Sequence, residues 1–193
     1  MRAIQQTQFG GPEVLVLANV DDPKPMGGEI LVRVKASGLN PVDAAVRSGG
    51  YRLLGEPPII LGWDVSGIVE AAPGVSRLAA GDEVFGMPMF PRAGRAYAEL
   101  VVAPSRHFAK KPKNLSHEEA AAIALAGLTA WQGLIEGAGI KAGERVLIHG
   151  AGGGVGHLAV QIAKAHGAFV IATASPGQAR FCRRFGRRSG HRL

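Results

Sequence analysis

Short apolar segments separated by turn residues fill the first hundred positions of the chain. They are EVLVLANV, EILVRVKASG, SGIVEAA, DEVFGMPM and AYAELVVA. Pairs rich in glycine, proline and aspartate separate them, among them Gly10-Gly11, Pro57-Pro58 and Gly81-Asp82. Alternating apolar positions bounded by such turns are typical of β-strands. This spacing predicts a compact, largely antiparallel barrel over residues 1–112.

A short helix is predicted inside this β-rich part, in the segment NPVDAAVRSG at residues 40–49. Asn40 is a favoured residue for the N-cap position, and Pro41 is well tolerated in the first turn that follows. The sequence therefore predicts a helix that begins directly after Asn40.

Helical patterns replace the strand patterns after Pro112. Ser116 with Glu119 three residues later forms a capping-box pattern ahead of the apolar helix EEAAAIAL. The segment GLTAWQGLIEGAG predicts another helix directly after it. These two helices lead into the last organised part of the chain.

A strand, a glycine turn, a helix and a second strand follow within about 30 residues, which is the spacing of a βαβ unit. The strands are RVLIHG and AFVIATAS, and the turn reads GAGGGVG at residues 150–156. One face of the intervening helix carries Val155, Leu158, Ala159, Ile162 and Ala163. We expect the crossover to be right-handed. Residues 113–177 are thus predicted to form the first βαβ part of a Rossmann domain, and the fold class is α/β with a β-rich first domain.

The glycine turn is a candidate site for the diphosphate of a dinucleotide. Backbone N–H groups at the start of the following helix point outward there, with the positive end of the helix dipole behind them. Gly153 lets the main chain approach a pyrophosphate, and Gly156 lets the helix pack tightly on its strand. Ala151 departs from the common pattern, which has a glycine at that position. The predicted cofactor-binding residues of the turn are Gly150, Ala151, Gly152, Gly153, Gly154, Val155 and Gly156.

The residues after the second strand favour NADPH as the dinucleotide. An NAD site generally has Asp or Glu there to bind the ribose 2′-hydroxyl, but the segment IATASPGQAR contains no carboxylate. Ser175 and Arg180 are instead candidates to bind a 2′-phosphate. A polar loop that contains a serine and an arginine by coincidence is the alternative.

The net charge of +7 comes from the last residues of the chain. Residues 178–193 contain six arginines and no acid, so the other 16 basic residues nearly balance the 15 acidic ones. The body of the protein is therefore close to neutral, the basic character belongs to the tail alone, and we expect no nucleic-acid partner. Cys182 is the only cysteine, so neither an internal disulfide nor a four-cysteine zinc site can form. The first residues lack the apolar segment of a secretory signal, and no stretch reaches the ~18 apolar residues of a membrane span, so a cytoplasmic location is expected.

The stretch GERVLIHGAGGGVGHLAVQIAK resembles the signature of the quinone oxidoreductase branch of the medium-chain dehydrogenase/reductase superfamily. The segments ASGLNPVDAAVRSGGY, LGWDVSGIVEAAPGV, AGDEVFGM, AYAELVVAP and GLTAWQGL are similar to that branch in the same order. The resemblance implies a GroES-like catalytic domain, which lacks its C-terminal return segment here, followed by an incomplete, doubly wound Rossmann sheet. It also implies that Asn40 and Thr129 lie beside a nicotinamide ring, that Tyr51 donates a proton or shapes the pocket, and that Asp43 supports the loop.

Zinc-dependent members of the superfamily bind a catalytic metal through a cysteine and a histidine. Asn40 stands where that cysteine would be and Trp63 where that histidine would be, and neither is a good zinc ligand. We therefore expect no metal, and a scaffold role for Trp63 and Asp64. For Asn40 a simple helix-cap role remains an alternative, as does a surface aromatic role for Tyr51.

The resemblance implies an NADPH-dependent, zinc-independent oxidoreductase that transfers hydride to quinones or conjugated carbonyls and can form a homodimer. The alternative is a truncated, non-catalytic remnant that binds nucleotide weakly at most. Family members continue well beyond this length, and one coding of GRRSGHRL read one base along gives GADQVID, which is similar to the family's continuation. We hypothesise that residues 178–193 are a frameshifted reading of that continuation, which the native nucleotide sequence can test.

Overall fold

The computed structural model describes residues 1–178 and residue 181. The chain divides into two compact units, Met1–Leu125 and Ala126–Leu193. The division falls inside a helix that starts at residue 117, so it lies after the boundary at residue 112 that the sequence pattern indicates. Each unit has its own hydrophobic core.

The first unit is rich in strands, as predicted. In chain order they are β1 (Arg2–Gln6), β2 (Leu15–Asn19), β3 (Glu29–Gly38), β4 (Ile59–Ile60), β5 (Asp64–Ala71), β6 (Glu83–Gly86), β7 (Leu100–Pro104) and β8 (Phe108–Lys110). An antiparallel five-stranded sheet has the order β7-β3-β5-β6-β8, and a three-stranded antiparallel sheet has the order β2-β1-β4. An isolated bridge between Ala3 and Ala98, with the N–H of Ile4 donating to the carbonyl of Tyr97 at 2.8 Å, joins β1 to the segment that leads into β7.

Two differences from the predicted strands have local causes. Pro12–Val14 forms a 3₁₀ turn, so β2 begins at Leu15 and not at Glu13. The segment DEVFGMPM is a strand only as far as Gly86, because the chain then enters a loop in which Met89 has a positive φ of 64°.

Strand β5 lies at the centre of the five-stranded sheet and is mostly buried. Two polar side chains, Asp64 and Ser66, are buried with it at 1% and 0% exposure. The core around this sheet contains Ile30, Val32, Val65, Val69, Leu78, Val84, Ala96, Val101, Ala103 and Phe108. Met89 packs at the edge of that core, and Met87 packs at the edge of a second cluster around Trp63.

Both predicted helix starts in this part are confirmed. Helix α1 (Pro41–Arg47) begins after Asn40, which forms a capping box with Asp43, and Pro41 lies in the first turn. Helix α2 (His117–Trp131) begins after Ser116, whose hydroxyl accepts the Glu119 N–H at 3.1 Å. The Glu119 carboxylate accepts the Ser116 N–H at 2.9 Å in return. These reciprocal bonds satisfy amides that the helix itself leaves without partners.

The prediction of a separate helix at GLTAWQGLIEGAG is wrong. Helix α2 continues through Gly127 to Trp131, and a π-helical turn covers Gln132–Gly137. A single glycine inside a helix costs about 1 kcal/mol relative to alanine. The alanine-rich sequence on both sides of Gly127 stabilises the helix by more than that cost.

The second unit contains the predicted βαβ order. It consists of β9 (Arg145–Ile148), α3 (Gly154–Ala165) and β10 (Phe169–Ala172), and the two strands pair in parallel with Arg145 opposite Phe169. The buried stripe of α3 is Gly156, Ala159, Val160 and Ala163, which follows the i, i+3, i+4, i+7 spacing. Val155, which we expected on that face, is 39% exposed because it lies one position before the stripe starts. Within the described part of the chain, no helix is both long and apolar enough to cross a membrane.

Candidate functional site

The glycine turn between β9 and α3 is held by hydrogen bonds to the end of β10. Gly150 has a positive φ of 63°, and the N–H of Gly153 donates to its carbonyl at 2.9 Å. The N–H of Ala151 donates to the carbonyl of Thr173 at 2.8 Å, and the Ala151 side chain is fully buried. Thr173 also contacts His149, whose Nδ1 lies 3.1 Å from the threonine hydroxyl. The turn is therefore fixed to both strands.

Gly156 lies directly against the turn. A Cβ atom added to Gly156 would lie 2.2 Å from the carbonyl oxygen of Gly150 and 2.8 Å from the Cα of Ala151. Both of those atoms belong to the backbone and cannot move aside without distorting the turn. Glycine is therefore required at this position, as the sequence pattern predicts.

The start of α3 suits a bound anionic group. Gly153 is the N-cap residue, no side chain caps the helix there, and the first turn contains no acidic residue. The amides of Gly154, Val155 and Gly156 precede the first intrahelical hydrogen bonds, so they are available to an acceptor. Together with the helix dipole, these amides provide the donors that a phosphate requires. The turn thus has the geometry to hold a diphosphate.

Gln178 covers one side of this turn, which the sequence did not indicate. Its Nε2 donates to the carbonyl of Gly152 at 3.2 Å, and its Oε1 accepts from the hydroxyl of Ser175 at 3.1 Å. A Cβ atom on Gly152 would lie only 2.6 Å from the Gln178 side chain. The structure therefore places Ser175 near the turn through Gln178. Arg180 lies outside the described residues, as do Cys182 and the other arginines of the tail.

In the first unit, Asn40 is held by two buried carboxylates. Its backbone N–H donates to Asp43 Oδ2 at 2.7 Å, and its side-chain Nδ2 donates to Asp64 Oδ2 at 2.7 Å. The other oxygen of Asp64 accepts the N–H of Leu125, which lies in α2, also at 2.7 Å. The sequence identified Asn40 and gave Asp64 only a scaffold role. The one local signal is an aspartate at the first position of the mostly apolar strand β5.

Burial dominates the electrostatics of this cluster. Burial raises the pKa of Asp64 from 3.8 to about 6, although the hydrogen bonds from Asn40 and Leu125 oppose the shift. Burial likewise raises the pKa of Asp43. The pKa of the Tyr97 phenol is raised by burial and by the neighbouring charge of Asp43. Asp43 and the Tyr97 phenol also interact with each other, and this interaction opposes the rise in the pKa of Asp43 while it adds to the rise in the pKa of Tyr97.

The other two predicted catalytic residues lie on exposed parts of the chain. Tyr51 follows α1 and is 59% exposed, while its backbone N–H donates to the carbonyl of Ala45 at 3.1 Å. Thr129 belongs to the second unit, where it lies on α2 and is exposed. Asn40 and Tyr51 are thus placed in the first unit, near the start and the end of α1.

The two positions at which zinc-dependent relatives have ligands are occupied by hydrogen-bond donors. The Trp63 side chain is fully buried, and its indole Nε1 donates to the carbonyl of Arg92 at 2.6 Å. The amide nitrogen of Asn40 faces Asp64. Neither nitrogen has a lone pair available for a cation. Among the described residues, no group of three His, Cys, Asp or Glu side chains is arranged to hold a metal ion.

Comparison with known proteins agrees with this architecture. Residues 26–113 match the family model of the alcohol dehydrogenase GroES-like domain. The quinone oxidoreductase of Pongo abelii is 42% identical over 176 residues, which cover 90% of this chain and 53% of that protein. The quinone oxidoreductase structure from Coxiella burnetii has a TM-score of 0.87 and 40% identity, covering 97% of this chain and 61% of that one. A mycobacterial structure complexed with NADPH has a TM-score of 0.83 and 36% identity, covering 96% of this chain and 57% of that one.

These matches confirm the predicted α/β fold class, with a GroES-like domain followed by a Rossmann-type parallel unit. Over 90% of its length the chain is homologous to quinone oxidoreductases, and it contains an alcohol dehydrogenase GroES-like domain, as the resemblance in the sequence predicts. It spans about half the length of the curated relatives that it matches.

Proposed function

We propose that the protein is an NADPH-dependent, zinc-independent reductase of quinones or related conjugated carbonyl compounds. In this proposal the chain contributes the turn that binds the nucleotide and the side chains Asn40, Tyr51 and Thr129 that act beside the nicotinamide. The sequence pattern, the local geometry and the similarity to quinone oxidoreductases each support it.

The observation that carries the proposal is the close packing of Gly156 on Gly150. The 2.2 Å distance from a Gly156 Cβ to the Gly150 carbonyl oxygen requires glycine there and keeps the turn narrow. The N-terminal amides of α3 then lie at the edge where parallel strands end, which is where such folds bind dinucleotides. Gly150, Ala151, Gly152, Gly153, Gly154, Val155 and Gly156 would line the diphosphate.

The choice of NADPH over NADH is supported by the residues after β10. The segment from Thr173 to Gln178 contains no carboxylate that would repel a 2′-phosphate or bind a 2′-hydroxyl. The Gln178 amide keeps a second N–H besides the one that it donates to Gly152, and the Ser175 hydroxyl, which donates to Gln178, would turn toward a 2′-phosphate by exchanging that partner. The mycobacterial relative that was solved with NADPH agrees with this choice. Arg180 remains a further candidate for the 2′-phosphate.

When bound, NADPH supplies the hydride for the reduction. The proposed task of Asn40 is to orient the nicotinamide, because its carboxamide has both donor and acceptor atoms and is held in place by Asp64. Thr129 would add a hydroxyl contact, and Asp43 supports the start of α1. Tyr51 would donate a proton from its phenol oxygen to the reduced substrate, or shape the pocket that excludes water. Fixed donors of this kind stabilise a developing oxyanion without a metal.

A binding experiment tests the nucleotide site. The purified chain is titrated with NADPH and with NADH, and nucleotide fluorescence reports binding. Gly156→Ala is expected to weaken NADPH binding by about tenfold or more, because the turn must open to accept the methyl group. Gly133→Ala is the matched control, since a Cβ there meets no atom within 4 Å and the residue lies in the same unit. Equal affinity of the two variants would contradict the proposed site.

A turnover experiment tests the activity. NADPH oxidation is followed by absorbance after addition of 1,4-benzoquinone or of an α,β-unsaturated ketone. Turnover that requires NADPH and persists in excess chelator supports the proposal. Binding without turnover by either substrate would instead favour a non-catalytic nucleotide binder, and the absence of both would reject the proposed function.

A further inference from the structure

Asp64 is a buried carboxylate that uses both oxygens to join two separate helices. It is 1% exposed at the start of β5. Its Oδ2 accepts from the Asn40 side chain before α1, and its Oδ1 accepts from the Leu125 N–H in α2, each at 2.7 Å. Within the part of the chain that the structure describes, no Lys, Arg or His forms an ion pair with it. Two neutral donors therefore hold this carboxylate in place.

The packing around Asp64 leaves it no freedom to move. Gly38 is its partner across β3 and β5, and a Cβ atom on Gly38 would lie 2.8 Å from both the Cβ and the Oδ2 of Asp64. The same atom would lie 2.9 Å from the carbonyl oxygen of Ala121 in α2. The hydroxyl of Ser37 donates to the backbone carbonyl of Asp64 at 2.8 Å. The position of the carboxylate is thus set by its neighbours on both sides.

This carboxylate determines which way the Asn40 carboxamide points. An asparagine side chain can rotate by 180° and exchange its donor nitrogen for its acceptor oxygen. An ionised carboxylate only accepts hydrogen bonds, so it selects the orientation with Nδ2 toward Asp64. The direction of the other polar atom of the carboxamide, Asn40 Oδ1, is thereby fixed as well.

We propose that Asp64 is the positioning residue of the candidate catalytic centre and holds the Asn40 carboxamide in the one orientation that serves the nicotinamide. This inference rests on the proposed function for its catalytic consequence. It changes the role expected for Asp64 from scaffold to orientation of a functional side chain. The hydrogen bond to Leu125 fixes that orientation to α2.

The variant Asp64→Asn separates positioning from scaffolding. The new asparagine has the shape of the aspartate, and its Oδ1 can still accept the Leu125 N–H. Its Nδ2 would then face Asn40 Nδ2, so two donors would meet and the Asn40 carboxamide would have to rotate. The fold is expected to survive, because the same change removes an unpaired buried charge. A scaffold role predicts lost stability, whereas a positioning role predicts lost function.

Ser66→Ala is the matched control. Ser66 lies two residues further along β5, is fully buried, and contacts His117 Nδ1 at the start of α2 at 2.8 Å. Its hydroxyl also donates to the carbonyl of Val84 at 3.0 Å. It therefore joins the same strand to the same helix without touching Asn40. The expected result is a lower unfolding temperature with unchanged turnover.

Asp64→Asn is expected to give the reverse pattern. Its unfolding temperature at pH 7 should equal or exceed that of the wild type, while kcat with NADPH and quinone falls about tenfold to hundredfold. The KM for NADPH should change by less than about threefold, since the diphosphate turn is untouched. Turnover within twofold of the wild type in a folded Asp64→Asn protein would overturn the inference.

The side-chain amide signals of Asn40 in ¹H–¹⁵N spectra provide a readout that needs no activity. We expect them to move in Asp64→Asn and to stay in place in Ser66→Ala, and unmoved signals in Asp64→Asn would overturn the inference on their own. A wild-type chain that binds no NADPH would reject the proposed function, and with it the catalytic consequence, but the orientation of Asn40 would still be decided by these spectra.

A double variant, the exchanged pair Asn40→Asp with Asp64→Asn, is tested if Asp64→Asn alone does not fold. The exchange restores one carboxylate and one amide with reversed direction, so it should fold and remain inactive. Failure of the exchanged pair to fold would identify Asp64 as scaffold and overturn the inference.

Discussion

The indole Nε1 of Trp63 donates a hydrogen bond of 2.6 Å to the carbonyl oxygen of Arg92. Phe90 meets the same indole edge-on, with ring centroids 5.5 Å apart. Trp63 is fully buried, so the loop of residues 87–95 is fixed to the core at this point. Two residues of the loop, Met89 and Arg95, have positive φ values, and such backbone persists only where the surroundings hold it.

Loss of this hydrogen bond should destabilise the fold. Trp63→Phe is expected to lower the free energy of unfolding by about 2–4 kcal/mol, because it leaves a carbonyl without its donor and creates a small cavity. Urea unfolding at pH 7 followed by circular dichroism measures the change. Trp131→Phe is the control, since Trp131 is 41% exposed and should lose less than about 1 kcal/mol. Similar losses in both variants would show that the Trp63–Arg92 hydrogen bond makes no particular contribution to the free energy of unfolding.

Gly38 should not tolerate even a methyl group. Gly38→Ala is expected to lower the free energy of unfolding by more than about 2 kcal/mol, because the Cβ would overlap Asp64 and the backbone of Ala121. Gly27→Ala, at which a Cβ meets no atom within 4 Å, should be neutral within about 0.5 kcal/mol. Thermal unfolding of the two variants provides the comparison. A neutral Gly38→Ala would mean that β5 and α2 can separate at little cost.

The raised pKa of Asp64 predicts how stability depends on pH. The Asp64 carboxyl has a pKa of about 6 in the folded state and of 3.8 in the unfolded chain, so it binds a proton more tightly in the folded state. Its contribution to stability is therefore fully present below pH 4 and is lost as the pH rises through 6, by about 3 kcal/mol at most. Asp43, whose pKa is also raised, contributes with the same sign.

The comparison of wild type with Asp64→Asn isolates this contribution. Between pH 4 and pH 6.5 the wild type should lose stability relative to the variant. The reason is that Asp64 gives up its proton over this range, whereas the asparagine of the variant does not titrate. Urea unfolding at several pH values measures it. A difference that stays constant over this range would show that Asp64 titrates as an ordinary aspartate.

One face of the β9–β10 sheet is expected to promote self-association. Leu147, Phe169 and Ile171 are 55%, 37% and 37% exposed, while their neighbours in the strands pack toward α3. Leu147→Lys should reduce association in light scattering at high protein concentration and change the unfolding free energy by less than about 0.5 kcal/mol. Val75→Lys, at an isolated position that is 97% exposed, is the control and should leave association unchanged.

Local sequence patterns predicted the parts of the fold that depend on neighbouring residues. The capping boxes at Asn40 and Ser116 involve positions three residues apart, so the sequence shows them directly. The βαβ unit and its required Gly156 follow from the order of periodic segments. The continuity of α2 through Gly127 was missed, because a glycine inside a helix and a glycine between helices look alike in the sequence.

The contacts that define the candidate site are mostly between distant residues. Asp64 meets Leu125 across 61 positions, and Gln178 meets Gly152 across 26 positions. No local pattern contains such pairs, so the sequence could identify Asn40 and Ser175 but not what holds them. The strand order β7-β3-β5-β6-β8 has the same origin, since it is set by packing between segments far apart in the chain.

Ala151 connects the apolar interior of the second unit to the glycine turn at its surface. Its methyl group belongs to the same apolar cluster as Val160 and Val170, and its backbone forms part of the glycine turn. Any compound that binds this turn raises the free energy of unfolding of the unit. The increase grows with the logarithm of the ratio between the concentration of the compound and its dissociation constant. Under the proposed function that compound is a nucleotide, so nucleotide binding and the folding of this unit would be coupled in one equilibrium.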